Sequence, residues 1–447
     1  MKIEQIYTGC LAQGAYYIES EGEAVIIDPL REVNTYLRKA AADSAQIKYI
    51  FETHFHADFV SGHVTLAEKT AAKIIYGPNA NPTFEAHIAT DGEEFKVGKI
   101  TIKALHTPGH TMESTTYLLK DENGKDHAIF TGDTLFLGDV GRPDLAQKAA
   151  DMTQDDLAAL LYDSLRNKIM PLADDVTVYP AHGAGSACGK NMMKETVDTL
   201  GNQKRMNYAL RADMTKAEFI KEVTDGLLPP PAYFPLNVKL NKEGYKSIDE
   251  VLKKGTQALS PDAFEIVANE TEALILDTRK PQEFTKGHIP RSIFIGLDGG
   301  FAPWVGALIK DISQPILLIT HKGREAEAVT RLARVGFDHT IGFLDGGFEA
   351  WQKANKETDS IMSLPPEDLE ECYGRIKERV FDVRKESEFE AEHIENAKNV
   401  PLSILNENMQ QLPKVKLFYV HCAGGYRSVI AASILKARGF HNLIDVK

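Results

Sequence analysis

One pattern is written twice in this chain. Asp277-Thr278-Arg279, Glu283-Phe284 and His288-Ile289 recur as Asp382-Val383-Arg384, Glu388-Phe389 and His393-Ile394. Each copy leads to an apolar strand, 316–319 or 417–420, and then to a helix that ends at Gly336-Phe337 or Gly439-Phe440. Self-similarity of this kind obliges both stretches to fold to one plan. The first copy continues to Gly346-Gly347-Phe348-Glu349-Ala350-Trp351. The second stops at Lys447, about where that glycine pair should begin, so its last helix is expected to be missing or to lie outside this chain. At 447 residues the chain is too long for one core, and three domains are expected. The run Leu228-Pro229-Pro230-Pro231-Ala232-Tyr233-Phe234-Pro235 cannot be regular structure, because proline removes donors and enforces extended backbone. It reads as a stiff tether ahead of the repeat.

Upstream of the tether, chemistry is concentrated in Thr53-His54-Phe55-His56-Ala57-Asp58-Phe59. The apolar stretch 47–51 before it reads as a buried strand, which places two imidazoles and a carboxylate on the following loop. Loops at sheet edges are where metal sites are built. Three later stretches supply partners: Thr107-Pro108-Gly109-His110-Thr111, Phe130-Thr131-Gly132-Asp133-Thr134 and Tyr179-Pro180-Ala181-His182-Gly183. Strands are expected at 15–18, 23–27, 73–76, 99–105, 117–119, 128–130 and 176–179, and helices at 33–41, 64–69, 153–168, 191–200 and 216–226. Three of those strands deliver His110, Asp133 and His182, so the ligand types all follow strands and gather at one sheet edge.

The order T-H-x-H-x-D, P-G-H-T, G-D-T-L-F, P-A-H-G resembles the metallo-β-lactamase superfamily over roughly the first half of the chain. The doubled D-x-R, E-F and H-I pattern resembles the rhodanese domain, an α/β fold around a parallel sheet. Together these resemblances imply an α/β multidomain protein, an αββα metallo-β-lactamase sandwich followed by two α/β rhodanese domains. The expected boundaries are 1–242, 243–358 and 359–447.

A superfamily hydrolase binds two zinc ions, and the second needs a histidine where this chain has Phe59. An apolar ring there disables a dinuclear site and leaves one metal. Persulfide dioxygenases of the superfamily hold a single Fe(II) by two histidines and one carboxylate, with positions open for oxygen and substrate. Carried over by motif, the ligands are His54, His110 and Asp133, with one Fe(II) per chain, while His56, Asp58 and His182 orient the ligands or move protons. Arg142, in Gly141-Arg142-Pro143-Asp144-Leu145, is the residue chosen for an anionic substrate group, against the alternative of a plain salt bridge. Cys188, in His182-Gly183-Ala184-Gly185-Ser186-Ala187-Cys188-Gly189, either lines the substrate channel or is a buried structural thiol. Enzymes that act on glutathione persulfide carry an arginine where Ala209 falls, which speaks against glutathione as the carrier.

In the second repeat copy, His421-Cys422-Ala423-Gly424-Gly425-Tyr426-Arg427-Ser428 follows the strand and opens the helix. A six-residue loop there turns backbone N–H groups inward and aims a helix N-terminus at the thiol, which stabilises a thiolate and its persulfide. Cys422 is therefore the nucleophile, Arg427 adds positive charge, and Ala423, Gly424, Gly425, Tyr426 and Ser428 form the substrate loop. The first copy has Thr320-His321-Lys322-Gly323-Arg324-Glu325 instead, two residues shorter and without cysteine, and it reads as a catalytically dead copy. Cys10 and Cys372 have no neighbours that suggest chemistry.

The formal charge of −13 argues against nucleic acid, which is bound by excess Lys and Arg. No apolar run approaches a membrane span, no signal peptide is evident, and four scattered cysteines fit a reducing compartment, so a cytoplasmic protein is expected. The whole order resembles bacterial sulfide-detoxifying fusions. That implies oxidation of a low-molecular-weight thiol persulfide by O2 to sulfite, with thiosulfate formed through Cys422, in a homo-oligomer, dimer or tetramer. The rivals are a dinuclear zinc thioester hydrolase resembling glyoxalase II and a non-enzymatic sulfane-sulfur carrier.

Overall fold

The computed structural model describes Met1 to Lys447 except Leu228 and the side chains of Lys148, Ala149 and Cys372, so the expectation for Cys372 lies outside the described residues. The chain divides into two compact units, Met1–Ile248 with Arg334–Gly336, and Asp249–Ala333 with Phe337–Lys447.

In the first unit, β1 (Lys2–Thr8), β2 (Gln13–Ser20), β3 (Glu23–Ile27), β4 (Gln46–Phe51), β5 (Lys73–Tyr76) and β6 (His87–Ile88) form one six-stranded sheet in that order. A second is built from β7 (Glu94–Val97), β8 (Ile100–His106), β9 (Thr115–Lys120), β10 (Asp126–Gly132), β11 (Thr177–Pro180) and β12 (Asp198–Thr199), again with sequence neighbours adjacent. β2 and β3 are buried on both faces, which is why their middles, 15–18 and 24–27, read as apolar runs rather than alternating ones. Between the sheets Tyr16, Phe51, Phe95, Tyr117 and Phe130 interlock, Tyr16 meeting Phe130 edge-on at 4.9 Å and Phe51 meeting Phe95 edge-on at 5.3 Å. Each such ring contributes about 1.5–3 kcal/mol by burial, and the edge-on geometry fixes how the sheets stack. Tyr36 and Leu66 carry two helices onto the first sheet, and Leu161, Leu200 and Phe219 carry three onto the second. This is the αββα sandwich.

Two expectations need correction. Residues 191–197 are not helical: Asn191 N–H and Met193 N–H tie the stretch to Asp139 Oδ2 (2.7 Å) and Leu137 O (2.8 Å), Asp198 and Thr199 pair with β11, and the helix begins only at Leu200, capped by Thr199. The proline run is regular at its end: the helix Phe234–Glu243 starts inside it, with Pro235 in the first turn, where a missing N–H costs nothing.

In the second unit β13 (Ala258–Leu259), β14 (Leu274–Asp277), β15 (Ile293–Phe294), β16 (Ile316–Ile319) and β17 (Thr340–Leu344) form a parallel sheet ordered β13-β17-β16-β14-β15. β18 (Ser363–Leu364), β19 (Val380–Asp382), β20 (Lys398–Asn399), β21 (Phe418–His421) and β22 (Leu443–Val446) repeat it as β18-β22-β21-β19-β20. The repeated D-x-R is a local clamp in both: Arg279 Nη2 reaches Asp277 Oδ2 at 2.6 Å, and Arg384 Nη2 reaches Asp382 Oδ2 at 2.7 Å.

Candidate functional site

β4 ends at Phe51, and the loop beyond it is pinned at its root by Asp28 at the end of β3. Asp28 Oδ1 accepts from Thr53 N–H and Oδ2 from the Thr53 hydroxyl, both at 2.8 Å. With its proton committed, Thr53 Oγ1 is left to accept from His54 Nδ1 at 2.9 Å. His54 therefore carries its hydrogen on Nδ1 and offers the Nε2 lone pair. His110 is set the same way, since its Nδ1 lies 2.9 Å from the Arg142 carbonyl, an oxygen that only accepts. Both free Nε2 atoms face one carboxylate oxygen, Asp133 Oδ2, at 3.8 Å from His54 and 3.5 Å from His110. Burial first, and then the neighbouring imidazoles His56, His110 and His182, hold His54 well below the usual histidine value, so it is neutral.

Asp133 and His182 arrive on adjacent parallel strands, β10 and β11, with Phe130 opposite Tyr179. The turn into Asp133 requires glycine at 132: its φ is +54°, and a Cβ would sit 2.6 Å from Thr53 Oγ1. Gly141 is required by proximity, because a Cβ there would lie 2.0 Å from the Asp133 carbonyl. Asp133 is 1% exposed, and neither carboxylate oxygen has a hydrogen-bond donor. A buried carboxylate without a donor costs free energy unless a cation meets it. Two imidazoles whose Nε2 atoms turn to one buried carboxylate fit a divalent transition metal.

Asp58, His56 and His182 lie against this set. His182 Nε2 is 3.4 Å from Asp58 Oδ1 and 3.6 Å from Asp133 Oδ1. Burial opposes charging His182, yet the two carboxylates outweigh it and push the imidazole up to about 10. His56 turns elsewhere, its Nε2 3.1 Å from Asp28 Oδ1 and 3.8 Å from Glu52 Oε2. Phe59, fully buried, lies on the His56 ring with centroids 4.3 Å apart, and 6.4 Å from that of His182. The apolar ring thus stands beside the groups that a second metal would need.

Residues that the sequence reading passed over complete the site. Glu52 takes the Ser61 hydroxyl at 2.5 Å, and burial, then the charge of Asp28, raises its carboxyl well above the usual range. Asn241 clamps the loop, donating to His56 O and Phe59 O and accepting from Ser61 N–H, each at 2.8 Å. A charged residue at the end of an apolar strand marked Glu52; nothing local marked Asn241.

Of the two readings given for Arg142, the structure shows the ion pair. Its Nε and Nη2 each meet Asp144 at 2.7 Å and the residue is 7% exposed, while its N–H bonds Cys188 O at 3.0 Å. The plain salt bridge is the observed state, and Arg142 bears on the site through the carbonyl that orients His110. Cys188 is buried in one group with Asp133 and His182, and burial raises its thiol well above the usual value, keeping it protonated.

In the second unit Cys422 sits partly exposed at the end of β21, its Sγ 3.6 Å from Ser428 Oγ, on a loop closed by Gly425 at φ +74°. Arg427 departs from expectation: its two terminal amino groups are bound by Glu388, at 2.6 and 2.9 Å, which compensates the charge expected for the thiol. The Arg427 hydrogen bonds push Glu388 down to about 2 from 4.5. A carboxylate held below its unfolded value stabilises fully above about pH 4.5 and loses that contribution as pH falls toward 2. Glu388→Gln is therefore expected to lower the unfolding temperature at neutral pH and to converge on wild type near pH 2, as read by thermal melts across a pH series. In the cysteine-free loop, Gly323 N–H is taken by Glu325 Oε1 at 3.0 Å, and Arg324 by Asp298 at 2.7 Å and by Glu327. It offers no anion cradle.

Residues 8–182 match the metallo-beta-lactamase superfamily, and residues 260–354 and 365–447 match the rhodanese-like domain. A probable hydroxyacylglutathione hydrolase of Schizosaccharomyces pombe is 31% identical over 168 residues, 37% of this chain and 60% of that protein's length. The mitochondrial persulfide dioxygenase ETHE1 of Homo sapiens is 29% identical over 227 residues, 49% of this chain and 78% of that protein. Among solved structures, a metallo-beta-lactamase from Staphylococcus aureus subsp. aureus COL is 31% identical with a TM-score of 0.67, covering 76% of this chain and 98% of that one. No helix among the described residues is long and apolar enough to cross a membrane.

Proposed function

The chain belongs to the metallo-beta-lactamase superfamily and carries two rhodanese-like domains after that domain, and from this premise we propose that it is an iron-dependent persulfide dioxygenase coupled to a sulfurtransferase. The observation that carries the reading is the three-donor set His54, His110 and Asp133 with Phe59 packed beside it. Fe(II) held by these two imidazoles and the carboxylate would supply redox chemistry with dioxygen. The chain's own residues do the rest. Thr53 and the Arg142 carbonyl keep both Nε2 lone pairs aimed inward. His182, 3.4 Å from Asp58 Oδ1 and 3.6 Å from Asp133 Oδ1, stands where it would take up or release a proton next to the reacting centre. Phe59 and Phe136, both fully buried, exclude water on the His182 side.

The overall change balances as one thiol persulfide, one dioxygen and one water giving one thiol, one sulfite and two protons. In the second step the Cys422 thiolate attacks the outer sulfur of another persulfide. The S–S bond breaks, and the carrier thiolate leaves with the electron pair. Sulfite then takes the terminal sulfur as thiosulfate and returns the Cys422 thiolate.

The test is metal analysis together with oxygen uptake on adding a thiol persulfide to protein loaded anaerobically with iron. About one iron per chain with prompt uptake supports the reading. Two zinc ions with thioester cleavage and no uptake sustain the glyoxalase II alternative, which the 31% identity to a probable hydroxyacylglutathione hydrolase favours. No uptake with any persulfide leaves a sulfur carrier. Phe59→His adds the missing donor next to Asp58 and His182, and is expected to raise the metal content from about one to about two per chain, read by plasma mass spectrometry.

A further inference from the structure

The helix Tyr426–Ala437 behind the Cys422 loop is buried without interruption from Ser428 to Leu435. A helix that lies only on its own sheet keeps a polar stripe, so this one has a second apolar neighbour. That neighbour is the cysteine-free copy. Its edge strand β15 runs along the helix, and Phe294 N–H donates to Ser433 Oγ at 3.0 Å in a buried contact. At the loop end, Tyr426 follows the left-handed Gly425 and enters the other copy. Its hydroxyl donates to the Gly296 carbonyl at 2.7 Å, and its ring meets Phe294 edge-on at 5.8 Å. Burial raises the phenol's pKa, so it remains a donor. The ring fits because residues 296 and 299 lack side chains: a Cβ on Gly299 would stand 2.4 Å from Tyr426 Cζ, and one on Gly296 would stand 3.2 Å from Cε2.

We propose that Tyr426 is a positioning residue that latches the Cys422 loop to the 296–299 segment of the cysteine-free copy, so that the second copy's loop holds its shape only against the first. The proposal rests on reading Cys422 as the sulfur acceptor. The loop has few other holds. Ala423 and Gly424 are exposed, and a Cβ on Gly424 would touch nothing within 4 Å. Its fixed points are His421 in the sheet, Arg427 on Glu388 and Tyr426 in the latch. Displacing the ring swings the first turn of the helix, and with it the N–H groups that must converge on a sulfur anion. The copy that lost its thiol is, on this view, the other half of the remaining active loop.

Gly299→Ala tests this in the full chain, since position 299 does not require a left-handed backbone and the three atoms nearest the added methyl all belong to Tyr426. It is expected to lower kcat for thiosulfate formation about tenfold, with the persulfide KM within about twofold. It also slows alkylation of the Cys422 peptide by iodoacetamide and displaces that rate's pH profile, while oxygen uptake by the first unit stays at wild type. Tyr426→Phe, which removes one hydrogen bond, costs about threefold. In a Tyr426→Ala background Gly299→Ala is expected to be silent, because the group it would strike is gone. The latch is overturned if Gly299→Ala leaves both kcat and the alkylation profile unchanged, or costs as much without the ring as with it. A wild-type chain that forms no Cys422 persulfide overturns the sulfurtransfer reading instead, and the alkylation profile, which needs no sulfur chemistry, still decides the latch.

Discussion

Asp133→Asn is expected to empty the metal centre and to abolish persulfide-dependent oxygen uptake. Among the described residues, Asp133 is the carboxylate that faces His54, His110 and His182 together, at 3.8, 3.5 and 3.6 Å. The amide keeps the shape of the side chain but gives up the charge, and one of its two ends becomes an N–H₂ that repels a cation. Iron content is expected to fall to less than about a tenth of wild type, and oxygen uptake by about a thousandfold or more. These exceed the 10–100-fold losses typical of partners that only orient a ligand. Asp58→Asn belongs to that milder class, because Asp58 pairs with His182. Plasma mass spectrometry and an oxygen electrode read both variants, and circular dichroism checks that the sandwich is intact. If Asp133→Asn retains wild-type iron, the donor set is wrong.

Cys422→Ala separates the two halves of the proposed reaction. No other described thiol stands on such a loop: Cys188 is buried and held protonated, and Cys10 lies at the other end of the chain. Thiosulfate formation is expected to drop to the uncatalysed background, about a thousandfold or more, since a methyl group accepts no sulfur. Oxygen uptake continues, and sulfite accumulates in place of thiosulfate. Separation of the two anions by chromatography gives the answer directly. Thiosulfate made at the wild-type rate with no lag would falsify the coupling.

Much of this was legible before any coordinates. His54, His110, Asp133 and His182 each follow an apolar strand, and strand ends in a sandwich converge, so four short stretches foretold one cluster. The repeat foretold two like sheets for the same local reason. What escaped depends on partners far apart in the chain. Asn241 grips a loop more than 180 positions away, and Tyr426 finds Gly296 across 130. Neither contact leaves a periodicity or a spacing. The carboxylates that pair with Arg142 and Arg427, Asp144 and Glu388, carried no signal of that pairing in the sequence. The 191–197 stretch carries helical spacing, but Asp198 and Thr199 pair with β11 and the helix waits until Leu200.

With the first copy's loop closed on Glu325, the proposed reading gives one seat for sulfur among the described residues, Cys422. Thiosulfate holds two sulfur atoms, so on the proposed reading each product ion records two separate arrivals of persulfide, one burned to sulfite and one parked on Cys422. The fuel ratio follows: one dioxygen for every two persulfides when the halves work in step, and one for every one when the seat is blocked. A respirometer and a persulfide titration therefore report the state of a thiol that neither instrument sees.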